Sequence, residues 1–359
     1  MTVHLIYPHG PKTSCPDAIG REVGKRLAKI YPVVLHDWDE FGYITPREGD
    51  VLVGHACPIP CTVFKRSAKR TGWRRVVLLS PHCHGDPHQP AFNDRVLPYC
   101  DVYLAITGNY WFNDLPNSLY AHWLPKMVHV DLAVDRSEFP VIKTHFNRKG
   151  LRRAVYIGST AWYKNTDYLS RVASEVGFEI AWIGTGTGIP GTRALGRLDF
   201  STSEARRIVA EFDFLLTVGR ADGNPATILE AMAWGLIPVC TPQSGYIGYA
   251  GIINVPPDDA ERAVATLRSL QEVPDERLYE MQASNWELLD HHFNWDRFTA
   301  QVVQAIQSSS SYECPSAGLV KTGKIRAAEV LSPFWVEMAR PSKLRRRLSV
   351  IGSRFQRRK

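Results

Sequence analysis

The chain lacks any run of the ~20 apolar residues needed to cross a bilayer as a helix, which excludes a helical membrane protein. Met1 to Gly10 lacks the order of charged, apolar and small residues found in a secretory leader. Cysteine is sparse: seven residues, at 15, 57, 61, 83, 100, 240 and 314, odd in number and scattered. That excludes a disulfide framework and leads us to expect a reducing, cytoplasmic setting. Internal repeats and nucleic-acid recognition motifs are also missing, so nucleic acid is not an expected partner. One absence is local. In the run Pro225-Ala-Thr-Ile-Leu-Glu230-Ala-Met-Ala-Trp-Gly-Leu-Ile-Pro-Val-Cys240, Glu230 stands with no Lys or Arg within a helical turn on either side.

That run reads as a helix with Asn224 as N-cap and Pro225 at the first helical position, stopped by Gly235 and followed by an apolar strand. A helix this apolar is buried on most sides, so its carboxylate needs a compensating partner. The partner is either a ligand hydroxyl or a group from elsewhere in the fold. Upstream, the loop Gly219-Arg-Ala-Asp222-Gly-Asn224 delivers an acid, a glycine and a helix N-terminus to one place. Such an end, with free N–H groups and positive dipole charge, suits a phosphate or sugar oxygen.

The net charge of +7 is unevenly spread. From Lys321 to Lys359 twelve Lys and Arg face only Glu329 and Glu337, a local excess of +10, which leaves residues 1–320 at 7 − 10 = −3. Such a tail is a solvated end, or an element attracted to an anionic membrane surface at ~1 kcal/mol per charge. The membrane reading rests on residues 341–359 and would place the protein peripherally on an inner membrane surface.

At 359 residues the chain exceeds one ordinary core. Short apolar runs alternate with helical patterns, which predicts parallel sheets of βα units. Strands are expected at Val3–Tyr7, Val33–Leu35, Val51–Val53, Arg75–Leu79, Val102–Ile106 and Met127–Val130. In the second half they are expected at Arg153–Ile157, Glu179–Ile183, Phe214–Val218, Leu236–Cys240 and Ile252–Asn254. The resulting division is a Rossmann-like domain over 1–141, a linker at 142–150, a second Rossmann-like domain over 151–294, a closing helix at 295–310 and a basic tail over 311–359. Two doubly wound domains facing a cleft put ligand chemistry at the carboxyl ends of strands.

Three segments of the second half align with that expectation. Val155-Tyr-Ile-Gly158 is a strand ending in glycine, whose loop reaches Lys164-Asn165. Ala181-Trp-Ile-Gly184-Thr-Gly186-Thr-Gly188 is a strand with a glycine-rich exit. The third is Asp222-Gly-Asn-Pro-Ala-Thr-Ile-Leu-Glu230. Together with Val128-His-Val-Asp-Leu-Ala-Val-Asp135-Arg-Ser-Glu-Phe139-Pro140 and Phe293-Asn-Trp295-Asp296, this order resembles glycosyltransferase family 4, the retaining GT-B enzymes using nucleotide sugars, over residues 1–308.

The resemblance implies roles. Glu230 would accept hydrogen bonds from the donor's ribose, Asp222 would contact donor-sugar hydroxyls, and Lys164 would neutralise the departing diphosphate. Backbone at Gly223, Asn224, Pro225 and Ala226 would line the transferring sugar and phosphates. Gly158, Gly184 and Gly10 would bring backbone close to the donor. In Pro81-His82-Cys-His84-Gly-Asp86-Pro-His88 the resemblance implies a histidine near the reacting carbon, with His84 preferred over His82; a polar surface loop and a zinc site are the alternatives. It also implies a sugar or lipid-linked acceptor and no cofactor or metal, the nucleotide sugar being substrate. Two departures stand out. Ser159 follows Gly158 where the family carries Arg, for which Arg193 or Arg220 could substitute, and Asp222 stands where the family carries Glu. A nucleotide-sugar epimerase of the same fold and a non-catalytic nucleotide-binding scaffold are the competing functions.

Other signals read as ordinary structure. Asp37-Trp-Asp39 is a loop after the second strand, Cys57 and Cys61 are packed thiols, and Tyr110-Trp-Phe112 reads as core ahead of an acceptor-stacking or membrane-facing patch.

Overall fold

The computed structural model describes residues 1–8, 15–56, 62–85 and 92–308. Gly10, Cys57, Cys61, Asp86, His88 and the tail over 311–359 lie outside the described residues.

The apolar runs assemble into two six-stranded sheets in which every pairing is parallel. The first contains β1 (Val3–Ile6), β2 (Val33–His36), β3 (Val51–Gly54), β4 (Arg75–Pro81), β5 (Val102–Ile106) and β6 (Met127–Val130), in the order β2-β1-β3-β4-β5-β6. The second contains β7 (Ala154–Ile157), β8 (Ile180–Ile183), β9 (Arg193–Gly196), β10 (Phe214–Thr217), β11 (Ile237–Cys240) and β12 (Ile253–Asn254), in the order β12-β11-β10-β7-β8-β9. Central strands of this kind are apolar on both faces because helices cover both; β3, β5, β8, β10 and β11 are buried along their whole length.

Eleven strands fall where the apolar runs predict them. The twelfth, β9, escapes that reading because Arg-Ala-Leu-Gly is an edge strand, largely exposed and paired only to β8, so burial never demanded an apolar sequence.

The helix Ala226–Trp234 begins one residue later than expected. Pro225, not Asn224, holds the N-cap position, with extended backbone. Asn224 instead turns its side chain across to the first domain, where Oδ1 accepts the Leu132 N–H at 2.5 Å. At the other end Gly235 adopts φ 95°, and the N–H groups of Gly235 and Leu236 close back onto Met232 and Ala231. Ile228, Leu229, Ala231, Met232, Ala233 and Trp234 are all buried.

Segment 142–150 is irregular but pinned to the second domain. The N–H groups of Ile142 and Lys143 both donate to Trp234 O, and Lys143 Nζ lies 2.8 Å from Asp213 Oδ1. The closing helix, Trp295–Gln307, returns to the first domain and packs on the helix Cys15–Leu27, burying Trp295, Phe298, Val302 and Ile306. Asn294 caps it, Oδ1 accepting the Arg297 N–H at 2.8 Å. Where the chain crosses back, Asp131 sits between His129 and His292, at 3.1 and 2.8 Å.

Candidate active site

In a doubly wound sheet the ligand crevice opens where the strand order reverses. In the second sheet that point lies between β7 and β10, neighbours in space whose chain connections run to opposite sides. The loop after β7 carries Lys164 and the loop after β10 carries Asp222. The structure brings these two together as an ion pair, both side chains mostly buried.

Local structure fixes that meeting. Trp162–Lys164 forms a single 3-10 turn, and Asn165 follows it in the left-handed region at φ 58°. No other described non-glycine residue adopts positive φ. Asn tolerates this conformation better than most side chains, a signal visible in the sequence but not read there. Tyr163 O then accepts the Arg220 N–H at 2.8 Å, tying the two loops directly.

The glycines serve close approach. A Cβ on Gly184 would lie 2.1 Å from Gly158 O, so the exits of β7 and β8 can touch only without a side chain there. Trp182 Nε1 donates to Gly158 O at 2.9 Å and Tyr156 OH to Ser159 O at 2.6 Å, so the carbonyls of this turn are occupied. The two candidate substitutes for the missing arginine are already engaged by neighbours. Arg193 pairs with Glu179 at 2.9 Å, and Arg220 donates to Asn165 Oδ1.

Glu230 lies in the second turn of its helix. Burial pushes its carboxyl up to about 7, although the residue as a whole keeps some exposure. Among the described residues it has no hydrogen-bond or ion-pair partner. Across the cleft is Cys15, at the start of the helix Cys15–Leu27. The residue keeps an exposed surface, yet desolvation and then the charges of Glu230 and Asp222 push its thiol up to about 12. The first domain's helix start therefore lies within electrostatic reach of Glu230, Asp222 and Lys164. Only the fold reveals that neighbour, since nothing in the sequence links position 15 to position 230.

The histidine loop of the first domain abuts the Asp222 loop. A Cβ on Gly223 would fall 2.6 Å from His82 O, and one on Gly85 would fall 3.2 Å from Ala221. His82 is fully buried and pushed down to about 3, by burial first and by His84 second. His84 is the more accessible of the two. Its Nδ1 lies 3.3 Å from His82 Nε2, its Nε2 lies 2.9 Å from Asp114 Oδ2, and its ring packs edge-on against Trp111. The described residues contain no group of three or more His, Cys, Asp or Glu arranged to hold a metal. Trp111 is core, as expected, and its Nε1 crosses the interface to Gln243 O at 2.8 Å. Asp37-Trp-Asp39 is a loop.

The cleft thus gathers Lys164 with Asp222 and Gly158 with Gly184, sets the His82–Gly85 loop against Gly223, and brings Glu230, Asp222 and Lys164 each within electrostatic reach of Cys15. Asn224 and Pro225 serve the domain contact and the helix start, and Gly10 lies outside the described residues. A groove of about 710 Å³ between the helices Cys15–Leu27 and Trp295–Gln307 contains none of these residues.

No protein-family profile and no curated protein sequence matches the chain. Solved structures do. Sucrose-phosphate synthase from Thermosynechococcus elongatus is similar at 10% identity and a TM-score of 0.64, over 85% of this chain and 98% of that one. The lipopolysaccharide outer core galactosyltransferase WaaB gives 14% and 0.61, over 85% and 99%. An alpha-glucosyltransferase solved with UDP and DNA gives 13% and 0.57, over 86% and 99%. At such low identity the likeness speaks to architecture: two facing parallel-sheet domains and a helix that returns to the first make this chain a GT-B fold.

Proposed function

We propose that the chain is a retaining glycosyltransferase that moves a sugar from a nucleotide-diphosphate-sugar donor to an acceptor hydroxyl. The observation that carries this reading is Glu230, a largely buried carboxyl with no hydrogen-bond or ion-pair partner among the described residues, in the fold on which such transferases are built. Ribose hydroxyls would donate to it, converting an unfavourable burial into a charge-assisted pair.

Lys164 and Asp222 hold each other as an ion pair. On donor entry the ammonium would turn to the diphosphate and release Asp222 to accept from sugar hydroxyls. Negative charge growing on the leaving diphosphate is then met by a point charge already in place. In a front-face reaction the acceptor hydroxyl attacks the sugar carbon from the side the diphosphate leaves, and its proton passes to a diphosphate oxygen. This course needs no separate base. It also fits the side chains: His82 is buried and neutral, and both ring nitrogens of His84 face neighbours within the first domain. The acceptor would be a sugar or a lipid-linked sugar. The basic segment 341–359 would bring the protein to an anionic cytoplasmic membrane surface.

A scaffold that binds nucleotide without turnover is favoured by one observation: the Lys164 charge is already neutralised, and Ser159 supplies no second cation. Screening nucleotide sugars by thermal shift, then analysing product linkage and anomeric configuration, decides between the readings. A stabilising donor and a new glycosidic bond of unchanged configuration support the transferase. Stabilisation without product supports the scaffold, and no response to any nucleotide sugar removes both.

A further inference from the structure

The two loops that form the Lys164–Asp222 pair have a second face. There Arg220 donates to Asn165 Oδ1, and Asn165 Nδ2 donates to Pro257 O at 3.2 Å. Behind this wall lies a cavity of about 490 Å³, on the same strand-end edge of the second sheet but toward β11 and β12. Its volume lies in the range of small-ligand pockets.

Its lining is polar and charge-balanced. Arg171 and Arg220 stand with Asp167 and Asp258 around one space, yet none of the four forms an ion pair among the described residues. Gln243 completes the wall next to the domain contact. Its Nε2 donates to Tyr110 OH at 3.1 Å, while Oε1 is buried without a partner among the described residues. Flipping the amide would exchange the two atoms and leave the other unpaired, so the group lacks one hydrogen bond either way. Tyr168 borders the cavity from the core of the second domain, its hydroxyl engaged by Pro256 O and Asp259 O.

We propose that this cavity is a saccharide-binding site, separate from the donor cleft, that holds a sugar unit of the acceptor. Two carboxylates beside two guanidinium groups disfavour a phosphate, whose charge the acids would repel. They suit a polyol: the carboxylates of Asp167 and Asp258 accept from hydroxyls, and the guanidinium forks of Arg171 and Arg220 donate to them. The acceptor role rests on the transferase reading, whereas saccharide binding stands apart from it. An occupant would meet Arg220, whose backbone and side chain hold the loop carrying Lys164.

The test titrates the full chain with maltose, lactose and N-acetylglucosamine, and separately with inorganic phosphate, by ligand-observed NMR. The variants are Arg171→Ala and Asp258→Asn, both at exposed positions. The expected result is saturable binding of at least one saccharide, weakened about tenfold or more in each variant, with nucleotide binding unchanged. Three outcomes overturn the site: binding of none of the saccharides, binding indifferent to both variants, or binding of phosphate in their place. Loss of nucleotide binding in the unmodified protein, with variant-sensitive saccharide binding retained, would remove the transferase reading and leave this site standing.

Discussion

Asp213 and Glu230 belong to the same βα unit yet lie in opposite circumstances. Asp213, just before β10, is fully buried and accepts from four donors. These are Lys143 Nζ at 2.8 Å, Asn147 N at 2.8 Å, Asn147 Nδ2 at 2.7 Å and Arg153 N at 2.9 Å. Glu230, in the helix that follows β10, has no partner of either kind among the described residues. At the amino end of β10 the protein itself satisfies the acid, whereas Glu230 keeps an unmet demand among the described residues. A buried acid with a full set of donors is architecture; one without them is a place for a ligand.

The comparison is broken most forcefully at its structural end. Asp213→Ala strands the buried Lys143 charge and is expected to cost about 3–5 kcal/mol of unfolding free energy, read by chemical denaturation. A loss comparable to a surface substitution would mean the two acids are not different in kind.

On the ligand side, Lys164→Ala is expected to lower turnover roughly a hundredfold or more while moving the denaturation midpoint far less than Asp213→Ala. Equal loss of stability in the two variants would assign Lys164 to the framework.

Titration separates the acids a third way. The Glu230 carboxyl is raised from 4.5 to about 7, so folding favours its neutral form. The ligand-free protein keeps that stability below about pH 4.5 and loses it as pH rises to about 7, by about 3 kcal/mol. The difference between wild type and Glu230→Gln across this window isolates the effect. Nucleotide affinity should run the other way and strengthen as the carboxylate forms. A difference that stays flat with pH would place the carboxyl in water.

Glu230→Ala should weaken nucleotide binding by ~1–3 kcal/mol with the fold intact, measured by calorimetry; unfolding without ligand would move Glu230 into the class of Asp213. The smallest effect is expected at the far end of the chain. Removing 341–359 should abolish binding to anionic vesicles and leave turnover on a soluble acceptor unchanged, and vesicle binding that survives the deletion contradicts the membrane proposal.

Much of this was legible along the chain because parallel strands buried on both faces must be apolar throughout. Runs such as Phe214–Thr217 announce themselves, whereas β9, exposed at an edge, does not. Gly235 was readable as a helix stop because few other residues adopt φ 95° cheaply. Asn224 looked like a cap because Asn before an apolar helix usually is one; a Leu132 N–H from the other domain took its side chain instead. Glu230 drew attention for a reason local to its helix, the lack of any cation within a turn.

The sequence by itself determined the two βα domains, the helix that isolates Glu230 and the acid–glycine loop before it, since periodicity, capping and burial act over neighbouring residues. Only the tertiary structure decided which charges meet. It paired Lys164 with Asp222, brought Cys15 within electrostatic reach of Glu230, and gathered Arg171, Arg220 and Asp258 around one cavity. Coulomb forces and desolvation depend on distances through space, and those are fixed only when the sheets have closed.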